Sequence, residues 1–395
     1  MRPLSRAPLV AVWILSLASL GSAQRTWIVD AANGAGTDFK DIPPALAAAS
    51  DGDRILVRKG TYTPGTTGKA LRMAGLPGAV IHATPTNKNF VVTGLSRSKS
   101  FVMRGFKLTA VPAVFTSWGA PLQIRNCEGR VHLEAITSLI DSSAILYSVQ
   151  VQQCRAVSLA NCALVPGLSA YKARIVATGC LFFGHDGPPV SNRPGSFGVD
   201  VHTSVVDLVQ VLARGGSGGG HGPPFQAVRA NQTTLYVRGD SRSQYKGGLY
   251  GRVQTPALWG FSTSGLVLDP SVTLINGYQS FRKVTVRRLP SLTGSGAALG
   301  GQAKLGLYSE KGKTFALFLA LSWDPLVIPG LGESWLDAAT FQFVTSGVMD
   351  ASERFGTSLL VPKDPAFLGQ HIAFQAITSR ATGFEMSNPV VIVLK

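Results

Sequence analysis

Apolar and polar residues alternate in short runs along the first half of the chain. Four of these runs are followed by a cysteine at a fixed offset: Leu122, Ile124, Cys127; Val149, Val151, Cys154; Val157, Leu159, Cys162; and Ile175, Ala177, Cys180. The same order, with a small or apolar residue in place of sulfur, recurs at Phe101, Met103, Phe106, at Ala79, Ile81, Thr84, at Ile55, Val57, Gly60 and at Val199, Val201, Ser204. The steps between seven successive copies, starting at residues 55, 79, 101, 122, 149, 175 and 199, are 24, 22, 21, 27, 26 and 24 residues. Such steps are too short for independent domains and too long for hairpins, and they suit one turn of a solenoid. Period-two alternation marks half-buried strands, and nothing helical separates the copies, so the strands stack in parallel. The pattern predicts a parallel β-helix.

Ahead of the first coil, residues 27–30 read as a strand and Gly34 to Gly36 as a turn. Phe39, Ile42, Leu46 and Ala49 then fall on one helical face, with Asp41 as cap and Pro43 and Pro44 in the first turn. A short helix laid over the end of a stack covers an edge that would otherwise pair with another chain. After Val237 the repeat fades, and short strand-like runs at 304–308, 315–322, 340–344, 357–361, 372–377 and 390–394, separated by Gly, Pro and Asp turns, predict a small antiparallel β-sandwich. The expected division is residues 1–23 as a signal peptide, 24–255 as the β-helix and 256–395 as the sandwich.

The cap and first coil, Trp27-Ile28-Val29-Asp30, Asp38-Phe39-Lys40-Asp41-Ile42-Pro43-Pro44-Ala45-Leu46, Asp51-Gly52-Asp53-Arg54-Ile55-Leu56-Val57 and Gly60-Thr61-Tyr62, closely resemble those of secreted right-handed β-helix proteins of the pectin-lyase-like superfamily. The resemblance covers roughly residues 25 to 250 and implies the fold. It implies no single activity, because that superfamily holds polysaccharide lyases, glycoside hydrolases, epimerases and members without demonstrated chemistry. Trp323-Asp324-Pro325, the run from Val361-Pro362-Lys363-Asp364-Pro365 to Gly369, Phe374-Gln375-Ala376 and Ser387-Asn388-Pro389-Val390 resemble a C-terminal β module of many secreted bacterial proteins. That resemblance implies an accessory, adhesive or sorting role and no catalytic residues.

Composition sharpens the picture of partners. With 45% hydrophobic and 15% charged residues the chain of 395 is a packed globular protein, and its formal charge is +16. Residues 1–23 carry Arg2 and Arg6, an apolar run too short to span a bilayer, and small residues at the end, as an export signal does. Losing it leaves +14. A secreted or cell-surface monomer of such charge is expected to attract an acidic polysaccharide or another extracellular polyanion, an envelope polymer or nucleic acid. Four cysteines in an exported chain would suggest two disulfides. Stacked in one column they point the same way, which favours buried thiols, with a bridge through Cys162 as the alternative.

The outward positions of the repeat supply the candidate sites. The second of them reads Arg58, His82, Arg104, Arg125, Gln152, Thr178, His202, and its first four members form a basic ladder expected to bind the polymer at strand spacing of about 4.8 Å. For catalysis, glycoside hydrolysis needs two close carboxyl groups. The candidates are His185, Asp186, Asp200, His202 and His221 on neighbouring late coils, with Asp200 and His202 side by side as a base pair. A second arrangement sets His82 as base between Arg58 and Arg104. Of the superfamily's hydrolase motifs only Gly220-His221-Gly222 matches, within a Gly-rich run, and Arg193-Pro194 lacks the rest of a lyase arginine motif. No calcium cluster, P-loop, dinucleotide glycine pattern or zinc spacing is present, so no metal or cofactor is expected. Asn231-Gln232-Thr233 has the form of a glycosylation acceptor. The sequence thus favours binding of an acidic polymer without cleavage, against a lyase or hydrolase acting on uronate-containing glycans, or a surface protein with no ligand.

Overall fold

The computed structural model describes residues 24–84, 89–111, 120–140, 147–186, 195–218, 224–239, 242–250, 253–321, 323–329, 331–364 and 367–394. The expected signal peptide therefore lies outside the described residues. Two units emerge, one from Arg25 to Thr293 and one from Gly294 onward.

The first unit is a parallel β-solenoid with three faces. The back face stacks Thr26–Val29, Arg54–Val57, Arg72–Gly75 and Ser100–Arg104, then continues through Val205–Val209, Thr234–Arg238, Gly265–Leu268 and Lys283–Val286. The front face stacks Phe90–Thr93, Val199–His202, Val228–Asn231 and Leu258–Gly260. Three long strands, Leu122–Glu134, Val149–Ala160 and Leu168–Thr178, run from front to back and belong to both. The side face holds nine strands, from Gly60–Tyr62 to Thr273–Ile275.

Inward residues of the inner rungs are almost fully buried and fuse into one core reaching from Val29 to Val272, with Trp27, Leu274 and Val284 of the end rungs partly buried against it. Burying side chains of this size contributes about 1.5 to 3 kcal/mol each. Two columns of corner residues make the bends. Asn126, Gln153, Lys172, Thr203 and Gln232 turn front into back, and Gly105, Ala135, Asn161, Gly179 and Gln210 turn back into side, all with φ between +49° and +74°. One left-handed residue reverses the chain direction within a single step, so these corners need no loop. Inside the first corner, Ser204, Thr233 and Ser264 each accept a hydrogen bond from the backbone of the coil before and donate to a carbonyl, which satisfies groups the bend leaves unpaired.

The four cysteines are buried thiols. They occupy two corners, not one column with Cys162 apart: Cys127 is the register partner of Cys154, and Cys162 and Cys180 follow the aligned rungs Val157–Leu159 and Ile175–Ala177. Each coil contains the apolar-x-apolar grammar twice, once on the front and once on the back, and the two interleave in the sequence.

The capping helix, Ile42–Ala48, is N-capped by the Asp41 carboxylate on the Ile42 amide and buries Ile42, Ala45 and Leu46. Lys69 Nζ donates to the carbonyls of Leu46, Ala47 and Ala49, closing the helix end with a cation where the dipole favours one.

The solenoid continues about thirty residues past the expected boundary at 255. The repeat is hard to see there because Gly260 stands where a rung has its second apolar residue; a Cβ on Gly260 would meet the Phe281 ring at 2.5 Å, so Phe281 fills the place from outside the pattern. The second unit is antiparallel, as expected. Gln302–Tyr308 pairs Arg354–Leu360; Thr314–Ala320 lies between Gln342–Val348 and His371–Arg380; and Val390–Val393 and Gly383–Met386 extend the sheet. A hairpin of Trp323–Ile328 and Gly332–Leu336 is pinned by the Trp335 amide donating to Gln375 Oε1 at 2.8 Å, with Trp323 and Trp335 stacked at 5.4 Å. Among the described residues no helix is long and apolar enough to cross a membrane.

Candidate functional site

The faces of the solenoid are not equivalent. In the middle coils two of the corners turn on single left-handed residues, whereas the longest connections fall at the third corner, from side to front. The intervals 111–121, 140–148, 184–198, 215–227 and 247–257 all lie between a side strand and the next front strand. Each of these intervals ends where a front strand begins, and connections held on a rigid scaffold are where binding surfaces form.

Two outward columns run along that face in unbroken register. One reads Gln123, Gln150, Ser169, Asp200, Arg229, Trp259, and the other Arg125, Gln152, Tyr171, His202, Asn231. Four strand steps separate Arg125 from Asn231, about 19 Å at the usual spacing. Tyr171 is 42% exposed, and Lys172 Nζ lies 5.1 Å from its ring centroid. Gln150 and Asp200 of the first column are buried, while the second column presents an arginine, amides and the exposed Tyr171 ring.

Asp200 anchors its centre. Its side chain is only 2% exposed, and its two oxygens accept from Arg229 Nε at 2.7 Å and Nη2 at 2.6 Å, and from Tyr147 Oη at 2.6 Å; His202 Nε2 lies 3.1 Å away. Burial pushes the carboxyl up, but the His202 and Arg229 hydrogen bonds, the Arg229 charge and the Tyr147 hydroxyl together hold it below its ordinary value of 3.8. Burial, then the Asp200 charge, pushes the Tyr147 hydroxyl up, so it stays a donor. The Arg229 guanidinium also lies over the Phe197 ring at 4.0 Å, and Phe197 meets Phe225 edge-on at 4.4 Å. Phe197, Phe225 and Tyr147 close three of the long connections, so one buried ion pair fixes the ends of all three. Asn231 Nδ2 stands 3.4 Å from His202 Nδ1, which places the glycosylation-like asparagine within the front column.

The structure brings Asp200 and His202 together and gives Asp186 and His185 other partners. Asp186 sits on the connection after Leu181–Phe183, exposed, accepting from the Ser217 amide at 2.6 Å and paired with Arg214. His185 precedes it, its amide donating to Ser196 Oγ. His221, with Gly220, Gly222 and the Arg193-Pro194 pair, lies outside the described residues. The basic ladder does not exist as one column. Arg58 and Arg104 belong to the back face, His82 to the side face with Nδ1 2.9 Å from Thr109 Oγ1, and Arg125 to the front. Arg58 is paired with Asp30 at 3.1 Å, and His82 does not stand between Arg58 and Arg104. The seven copies starting at residues 55, 79, 101, 122, 149, 175 and 199 fall on back, side, back, front, front, back and front strands in turn, because all three faces share one alternation.

Sequence reasoning missed Tyr147, Tyr171, Arg229 and Trp259. Arg229 follows Asp200 by 29 residues, one coil, so the signal was present once the front rungs are separated from the back ones. Among the described residues no group of three or more His, Cys, Asp or Glu is arranged to hold a metal.

Charge is divided unequally between the units. Residues 25–293 contain 28 Lys and Arg against 13 Asp and Glu, a formal +15, while residues 294–395 contain 7 against 8, a formal −1.

No protein-family model matches the chain, and no curated protein matches it either. Among solved structures, the full-length tailspike protein 2 of Escherichia coli O157:H7 bacteriophage CAB120 is similar at 9% identity over 90% of this chain and 61% of the tailspike, with a TM-score of 0.32. The chain spans about three fifths of that tailspike's length.

Proposed function

We propose that the protein is an exported β-helix protein of the pectin-lyase-like kind that binds an extended acidic polysaccharide along its front face without cleaving it. The observation that supports this most is the front column Arg125, Gln152, Tyr171, His202 and Asn231, in which cationic, amide and aromatic groups follow one another at strand spacing for about 19 Å. Sugar rings stack on aromatic faces such as Tyr171 and exchange hydrogen bonds with amides such as Gln152, while Arg125 meets a carboxylate. Binding is favoured over hydrolysis because the Asp200 carboxylate is already engaged by Arg229 and Tyr147, and a carboxylate held ionised has no proton to give a leaving group.

Titration with polygalacturonate and with a neutral glucan tests the proposal. Tyr171→Ala and Arg125→Gln should each weaken uronate binding about tenfold, the loss of roughly 1.4 kcal/mol, and leave the fold intact by circular dichroism. Unchanged affinity in both variants would remove the front face from consideration. Steady growth of absorbance from unsaturated products, with or without calcium, would overturn binding alone and restore a lyase.

A further inference from the structure

On the back face of the first coils, three arginines stand close together in a way the front-face function does not use. Arg54 and Arg72 are direct register partners on adjacent strands, and Arg104 lies one strand further on, beside Ala74, two positions along from Arg72. Stacked strands put direct partners such as Arg54 and Arg72 about 4.8 Å apart at the backbone, and diagonal neighbours such as Arg72 and Arg104 about 7 to 8 Å apart. Like charges at this separation repel unless an anion stands between them.

The acidic residues of the same coils are committed elsewhere. Asp30 holds Arg58, Asp38 faces Arg25, and Asp51 holds Lys99 at 2.7 Å. Asp53 accepts from the Arg25 and Ser50 amides and from Trp27 Nε1, and Asp41 caps the helix. Glu134 is the register neighbour of Arg104 on the side away from Ala74. Arg54 Nε and Arg104 Nη1 are buried and have no hydrogen-bond partner. A buried guanidinium N–H left unmade is costly, which makes it a donor awaiting an acceptor. Burial, then the charge of Arg54, pushes Arg72 down to about 10, and burial alone pushes Arg54 down.

We propose that Arg54, Arg72 and Arg104 form an oxyanion-binding site on the back face, separate from the front-face columns, that takes a sulfate, phosphate or carboxylate group. Guanidinium forks match the planar edges of such groups and bind them through paired hydrogen bonds. The oxyanion is either a free ion or the substituent of an acidic polysaccharide, and the two sources share this chemistry.

Melting of the full chain in sodium sulfate and in sodium chloride at matched ionic strength gives the first measurement. Sulfate raises the melting temperature of most proteins by exclusion from their surface, so the informative quantity is the excess over the Arg54→Gln, Arg104→Gln double variant. The wild type should show that excess, and Tyr171→Ala should keep it. Without sulfate the double variant should melt no lower than the wild type, because a repulsion has been removed. Arg104→Gln alone, which leaves the Arg54–Arg72 pair in place, should lose part of the excess and serves if the double variant does not fold. Affinity for dextran sulfate, with plain dextran as control, gives the second measurement: the double variant should bind about tenfold more weakly, one charge-assisted hydrogen bond's worth. Dextran sulfate dependence without a sulfate excess assigns the site to a polymer, and both together show that a free ion suffices. Equal sulfate response and equal dextran sulfate affinity in wild type and double variant overturn the proposal.

Discussion

Asp200 is held ionised in a place where a lone carboxylate would not be. Its partners come from two other coils, Tyr147 from the connection into Val149–Ala160, two rungs earlier, and Arg229 from the next rung, so the side chain ties separate turns of the solenoid together. Removing one partner of a buried pair costs far more than the pair contributes, because the survivor keeps its desolvation penalty. Arg229→Met should therefore destabilise the protein by about 3 to 5 kcal/mol, read as a fall in the denaturant midpoint, whereas charge removal at exposed Arg214 should be close to neutral. The pH dependence follows from the direction of the shift. The folded Asp200 binds its proton less readily than the unfolded chain does, so its stabilisation is complete above the ordinary value of 3.8 and is lost as pH falls through that value toward the lower folded one. Asp200→Asn should flatten the acid limb of the stability curve below about pH 4. An unchanged acid limb would show that the surrounding hydrogen bonds do not depend on the charge.

At the scale of the element, the corners decide what the chain tolerates. Gly105 and Ala135 occupy the same bend in successive coils, with φ of +74° and +51°. Alanine fits at 135, yet at 105 a Cβ would meet the Gly75 carbonyl oxygen at 2.5 Å. Gly105→Ala should cost about 1 to 3 kcal/mol, since both the left-handed backbone and the contact oppose it; thermal melting beside the wild type checks this. The corners also explain how much of the molecule the sequence disclosed. Alternation and the recurring small residue revealed a parallel stack, because inward positions admit only what fits the core. The three-face register stayed hidden: front and back rungs obey one grammar, and a single left-handed residue such as Gln153 or Lys172 looks like any polar residue in a strand. That is why Arg58, His82, Arg104 and Arg125 lined up on paper and part company in space. Asp200 and His202 survived as neighbours because a two-residue spacing within one strand needs no register at all. The last coils escaped notice for another reason, since the Phe281 ring replaces an absent rung residue at Gly260.

For the whole molecule, charge distribution assigns the work. With a formal +15 on residues 25–293 and −1 on residues 294–395, the proposed attraction to a polyanion would belong to the solenoid unit. If local charge governs retention on a polyanion column, reversing Arg104 and Arg125 should elute the protein at clearly lower salt than reversing Arg354 and Arg380 of the second unit, although both pairs change net charge equally. Exposed charges are screened beyond about 8 Å at physiological ionic strength. Near 0.15 M salt only charges that touch the ligand still count, so the gap between the two double variants should widen, relative to their common loss, as salt rises from about 0.01 M, where screening reaches about 30 Å. Equal elution of both variants across that range would mean that the polyanion senses net charge alone, and the arginines of the solenoid would then serve solubility and not recognition.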